Sequence, residues 1–239
     1  IVGVDDYSAQ EISAVKALPR VGGLFSPSLE AVVSLRPDAV VLVPSAEQRD
    51  FRSRLAELGV RVVAFENIRF DQVLANIRYL GALSGRNAQA ARRVEAIGQA
   101  RESARRRAKG RAQPRVLVVL QRDPLFVVGS GIFIQEMLDD VGARNVAAEF
   151  GGAYPRVAAE WVVAQAPDVL IDLSPGEADP RAHWSRWPSI PAVARGRVVV
   201  LDPRLVSMPG PHLDRALEAL ERGLAVGAEA DLANAAQEP

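Results

Sequence analysis

With no cysteine and only two histidines, this chain is poor in the side chains that usually carry nucleophilic or metal chemistry. Thiol catalysis and disulfides are excluded outright. His183 and His212 both lie in the second half, and no His-Glu-x-x-His or paired-cysteine spacing accompanies them. A ligand set for a bare zinc or manganese ion is therefore missing. Gly129-Ser130-Gly131 stands between an apolar run and a helical pattern, where a loop could cradle phosphate. It lacks the third glycine of a GxGxxG fingerprint and no Gly-Lys-Ser/Thr follows, so it reads as a tight turn. There is no Gly-x-Ser-x-Gly elbow for a serine nucleophile. Glutamates, arginines and a few aromatics remain as groups with something to do.

The glutamates belong to a repeat. Glu30-Ala31-Val32-Val33-Ser34-Leu35-Arg36-Pro37-Asp38 returns as Glu160-Trp161-Val162-Val163-Ala164-Gln165-Ala166-Pro167-Asp168. Each copy runs into an apolar stretch, residues 39–43 and 169–173. The pattern predicts a short amphipathic helix, a proline stop and a buried strand, because proline has no amide hydrogen and disfavours helical angles in the residue before it. Two distant copies predict two similarly built lobes. An acid at a helix start gains a few tenths of a kcal/mol from the helix dipole, about 0.3 or more. Ser26 followed by Pro27 reads as the first helix's cap. That explains one glutamate; the preservation of both asks for more.

Aromatics make up only 5% of the chain, so their placement is informative. Tyr7, Phe25, Phe126 and Tyr154 fall at strand ends or in loops before helices. In open α/β sheets the ligand crevice lies there. Aromatic faces suit a flat macrocycle, and a phenol adds a polar handle. Arg122, Arg156 and Arg204, in loops of the second half, could grip an anionic ligand group through paired contacts. Arg105-Arg106-Arg107, with Lys109 and Arg111, is expected to be a solvated helix face.

These residues need a scaffold. Strand-like runs at 1–4, 39–43 and 60–65 alternate with helical patterns near 11–18, 27–35, 46–58 and 71–84. Short apolar strands alternating with helices predict a parallel sheet covered on both faces. Residues 86–110 are rich in Ala, Arg, Glu and Gln, strong helix formers, with Gly110 as a stop. They predict one stiff helix. Strands at 115–120, 125–128, 169–173 and 197–201 follow, with helices at 133–141, 157–165 and 211–226. The expected division is a first lobe over 1–85, a linker helix over 86–110, a second lobe over 111–226 and a frayed tail over 227–239. The fold class is α/β, two Rossmann-like lobes with parallel sheets joined by a long rigid helix. A formal net charge of zero argues against nucleic acid as a partner.

Ordered strings along nearly the whole chain resemble one family. They are Val2-Gly3-Val4-Asp5-Asp6-Tyr7, Val21-Gly22-Gly23 through Asp38, Asp123-Pro124-Leu125-Phe126-Val127-Val128-Gly129, Gly142-Ala143-Arg144-Asn145-Val146, Ile190-Pro191-Ala192-Val193 and Pro209-Gly210-Pro211. The chain resembles the helical-backbone (class III) periplasmic binding proteins of ABC importers. The likeness is to the branch that carries cobalamin, haem and ferric siderophores, above all the cobalamin-binding type. That family begins with a strand and helix ahead of the Val-Gly-Val strand that have no counterpart in residues 1–239.

The resemblance implies capture without catalysis. Ligand is expected between the lobes, with no resident cofactor and no bare metal; a corrinoid, haem or ferric siderophore is the expected cargo. It implies that Glu30 and Glu160, one per lobe, meet arginines of the importer's permease. It matches Leu24 and Val43 to ligand-loop positions where cobalamin-type proteins carry tryptophan, a departure that leaves the ligand open. It further implies a monomer in the periplasm or lipid-anchored outside the cell. The signal segment is expected to lie outside this stretch, and membrane contact to come through the importer or an anchor. The rivals are a two-lobed Rossmann-type enzyme such as a glycosyltransferase, which would need a phosphate loop and a placed acid or base, and a ligand sensor without a transporter.

Overall fold

The computed structural model of the chain describes residues 1–45, 48–176 and 179–235. They form two compact units, Ile1–Glu66 and Asn67–Pro239.

The first unit opens on a bridge rather than a strand: of the expected run at 1–4, only Val4 pairs, in parallel with Arg20. α1 (Asp6–Glu11) follows, earlier than the helix expected at 11–18. Asp5 caps it by accepting the Ser8 amide at 2.9 Å, and extended Ile12 ends it, leaving a 3₁₀ turn over Ser13–Val15. α2 (Leu29–Ser34) is capped by Ser28, not Ser26. Gly22 and Pro27 form an antiparallel bridge, and the Ser28 amide donates to the Val21 carbonyl at 2.7 Å. The chain is thus still extended at Pro27 and turns helical two residues later. β1 (Ala39–Leu42) pairs in parallel with β2 (Arg61–Ala64), and α3 (Arg49–Glu57) connects them. The helix read at 46–58 begins on two residues outside the described ones.

In the second unit, α4 (Phe70–Leu83) and α5 (Asn87–Ala108) precede β3 (Arg115–Arg122). The remaining elements are β4 (Leu125–Val127), α6 (Phe133–Asp140), β5 (Arg144–Asn145), α7 (Ala159–Gln165), β6 (Val169–Asp172), α8 (Pro180–Trp184), α9 (Pro191–Ala194), β7 (Val198–Val200), α10 (Pro203–Val206) and α11 (Leu213–Ala235). The sheet order is β4-β3-β6-β7, with β5 also on β3; β4 alone runs antiparallel. Alternation along the strands splits the core. Val116, Val118, Val169 and Ile171 pack with α4, α5, α6 and α11 on one face. Leu117, Val119, Leu170 and Val198 pack with Val162, Trp184 and Ile190 on the other. This is the two-faced burial that continuous apolar strands demand.

α5 covers most of the expected 86–110 helix and packs within the second unit, against α4, α6 and α11. Its basic run, Arg105 to Arg107 with Lys109 and Arg111, is exposed as expected, yet its charges are partly engaged. Arg101 and Arg105 both reach Asp140, at 2.5 and 2.6 Å, and Arg107 grips Glu221 with two hydrogen bonds of 2.9 and 2.6 Å. The Asp140 side chain is 2% exposed, and a carboxylate so buried requires partners. Arg101 also stacks over Phe70, 4.1 Å from the ring centroid. α11 continues to Ala235, past the expected end at 226, through Ala, Glu and Leu that favour helix; residues 236–239 of the predicted tail lie outside the described ones.

Candidate functional site

The repeat is reproduced in backbone detail. Glu30 and Glu160 are each the second residue of their helix, and both are exposed. Just past the helices stand Arg36 and Ala166, left-handed at φ 47° and 45°, each immediately before proline. Left-handed angles let the chain reverse without the clash that right-handed helical angles would cause before proline. The fourth residue of each helix, Val32 or Val162, faces inward.

In the first unit, four predicted residues are exposed: Tyr7 at 46%, Leu24 at 41%, Phe25 at 63% and Val43 at 57%. Tyr7 and the Leu24-Phe25 loop both follow the Val4–Arg20 bridge, and Val43 follows β1. Gly22, at φ +100°, makes the loop possible: a Cβ there would meet the Ser26 carbonyl oxygen and the Ser28 amide at 3.0 Å. Buried Gln48 ties the segment after β1 to the loop, donating from Nε2 to the Leu24 carbonyl at 2.6 Å.

In the second unit, residues 152–157 form an unpredicted strap along β4. The Val127 and Gly129 amides donate to the Pro155 and Ala153 carbonyls, and Val157 to Leu125. Phe126 faces Arg156 across an antiparallel bridge. Directly opposed residues share a side of a sheet, and Tyr154 shares it by alternation. Burial holds the Tyr154 phenol above its ordinary pKa. Gly129 is required here, since a Cβ would sit 2.0 Å from the Gly152 carbonyl oxygen. The strap also rules on phosphate: Gly129 and Ser130 amides are taken by Ala153 and Gly152, and the Phe133 amide at the helix start by Ile68. Gly129-Ser130-Gly131 is a turn whose Gly129 and Ser130 amides are already used.

Arg122 sits elsewhere than on an open loop. It closes β3 with 11% of its side chain exposed, donates to Ser174 Oγ at 2.7 Å and lies 3.9 Å from Asp172. Asp172 is fully buried and accepts from Trp184 Nε1 at 2.7 Å and from the Ser174 amide and hydroxyl. Trp184 meets His183 edge-on and packs tilted against Trp187. Burial first, then the nearby Arg186 and Arg122 charges, hold the His183 pKa below its usual value. Sequence reading missed Asp172, Ser174 and Trp184, although an acid inside the apolar run 169–173 signals a buried polar partner. Arg204, exposed on α10, stands apart from this cluster, its amide donating to Asp202.

Among the described residues no group of three or more His, Cys, Asp or Glu could hold a metal ion. No helix among them is long and apolar enough to cross a membrane.

Known proteins carry the same architecture. A vitamin B12-binding protein of Salmonella typhimurium is 28% identical over 170 residues, 71% of this chain and 64% of that protein. An uncharacterized ABC transporter substrate-binding lipoprotein of Bacillus subtilis, YvrC, is 27% identical over 234 residues, 94% of this chain and 73% of its own length. Among solved structures, the periplasmic haem-binding protein BhuT in complex with two haems superposes with a TM-score of 0.79 at 28% identity, covering 95% of this chain and 89% of that one. RhuT from Roseiflexus sp. RS-1, a periplasmic haem-binding protein in apo form, gives a TM-score of 0.80 at 25% identity over 95% of this chain and 90% of its own. The periplasmic binding protein family model matches residues 1–205. With parallel-sheet units, an acid-led repeat in each and a family match over most of its length, the chain belongs to the periplasmic binding proteins.

Proposed function

We propose that this chain is the solute-binding component of an ABC importer, that its ligand is a corrinoid or a similar metal chelate such as haem or a ferric siderophore, and that it performs no catalysis. The similarity to B12-binding and haem-binding proteins, in the second case over 95% of the chain, carries this reading. Tyr7, Leu24, Phe25 and Val43 are the proposed ligand contacts of the first unit. Phe126, Tyr154 and Arg156 are those of the second, with Arg204 standing apart on α10. Arg122 is proposed to contribute its outer edge while Asp172 and Ser174 hold it. Exposed aromatic and aliphatic surface beside a few polar groups is what a flat, amphipathic chelate needs. Glu30 and Glu160 are the proposed contacts with the permease. The printed descriptions of relatives as periplasmic or lipoprotein support a place outside the cytoplasmic membrane.

Calorimetric titration with cyanocobalamin, haemin and a ferric siderophore tests the reading, alongside Zn²⁺. One chelate is expected to bind at micromolar Kd or tighter, and Phe25→Ala with Phe126→Ala to weaken it tenfold or more. Tight Zn²⁺ binding with no response to any chelate would refute it.

A further inference from the structure

A groove of about 660 Å³ runs between α4, α5 and the start of α11, and none of its lining residues is among those proposed above for ligand or permease. Ile77, Leu80 and Ala90 contribute an apolar floor, and Leu80 is 40% exposed. The helices approach closely at one end, where a Cβ on Gly81 would lie 2.3 Å from Ala90 Cβ. Arg86, Arg92 and Arg215 stand around the floor, and none has a carboxylate partner among the described residues. Arg93 differs: Asp214 and the Pro211 carbonyl hold it, fixing the start of α11 against α5. No acid lines the groove, Asp214 beside it is taken by Arg93, and Arg86, Arg92 and Arg215 are exposed, the Arg86 guanidinium donating to the Gln89 side-chain oxygen at 3.4 Å.

We propose that this groove binds a small amphipathic anion, an apolar body bearing one carboxylate or sulfonate. A neutral apolar ligand would leave the arginines unanswered, and an inorganic anion would leave the floor exposed. Guanidinium forks match planar oxyanions in pairs. The volume lies within the usual range for small-ligand sites, about 300–1,000 Å³.

The test uses the intact chain and 1-anilinonaphthalene-8-sulfonate, an aromatic sulfonate that fluoresces in apolar surroundings. Saturable binding is expected, displaced by decanoate but not by decanol. Arg92→Glu with Arg215→Glu should weaken the dye at least tenfold while the melting temperature holds. Leu80→Ser should weaken it several-fold, and Phe25→Ala with Phe126→Ala should leave it within twofold. No saturable binding, an affinity indifferent to the charge reversal, or equal competition by decanol would overturn the proposal. So would a dimer in sedimentation that the charge reversal dissolves, because a second copy would then be the occupant.

Discussion

One helix–proline–strand unit sits in two surroundings. In the second unit all four residues of β6 are buried and both its edges are paired, by β3 and β7. In the first, β1 pairs with β2, no residue of β1 is fully buried, and Val41 is 45% exposed. Yet the local backbones agree, down to left-handed Arg36 and Ala166 and glutamates at the same helical position. Local residue types set the shape of the unit. Its burial, and hence its contribution to stability, depends on the neighbours it finds.

The largest contrast should come from the strand ends, where the repeat aligns Leu42 with Asp172. Asp172→Ala strands the Trp184 indole N–H and the Arg122 guanidinium in a buried setting. Breaking such a pair costs about 3–5 kcal/mol. Half-buried Leu42→Ala should cost about 1 kcal/mol, below the 2–5 kcal/mol of a fully buried leucine. Urea unfolding measures both, and equal losses would erase the contrast.

One residue earlier the same logic applies to apolar side chains. Ile171 is wholly buried, so Ile171→Ala should cost about 2–5 kcal/mol. Val41→Ala should stay within about 0.5 kcal/mol, as for other surface positions. A loss above 1 kcal/mol at Val41 would mean that β1 is covered in solution.

The turn should behave alike in both units. A left-handed L-residue costs roughly 1–2 kcal/mol, while glycine's extra freedom in the unfolded chain returns about 0.5–1. Arg36→Gly and Ala166→Gly are each expected to stabilise by about 0.5 kcal/mol. Thermal melts of the two variants should rise; a fall in either would show that its turn does not hold this geometry.

The parts legible in sequence are those with a pattern of their own. β1, β3, β6 and α5 lie within two residues of their expected bounds, because apolar runs and helix formers are strong local signals. β5 escaped, since Arg144-Asn145 exists only by pairing with β3. So did α8, α9 and α10: each is four or five residues long with proline at its start, too short to display a helical period. At the site, Phe126, Tyr154 and Arg156 could be named singly, but the strap that aligns them depends on Gly129 and Gly152 approaching across sequence. Arg122 was readable as a cation and not as Asp172's partner, because an acid inside an apolar strand signals a buried partner without saying which residue it is.

The smallest expected effect on stability separates a structural from an interacting role for the paired acids. Glu30 and Glu160 are exposed at the second position of short helices. There the helix dipole rewards a negative charge by about 0.3–1 kcal/mol, less in salt. Glu30→Ala and Glu160→Ala should each cost that much or less, by similar amounts despite the difference in burial of the strands behind them. Glu→Gln at both positions should cost about as much as Ala, because it is the charge that meets the helix dipole. Ligand affinity should stay within twofold. If the acids meet arginines of a permease, the double variant should lose importer binding sharply and in a salt-dependent way, since charges across an interface act on recognition and register. Full transport by the double variant, or loss of ligand binding in its place, would leave the repeat with no more than a helix-starting role.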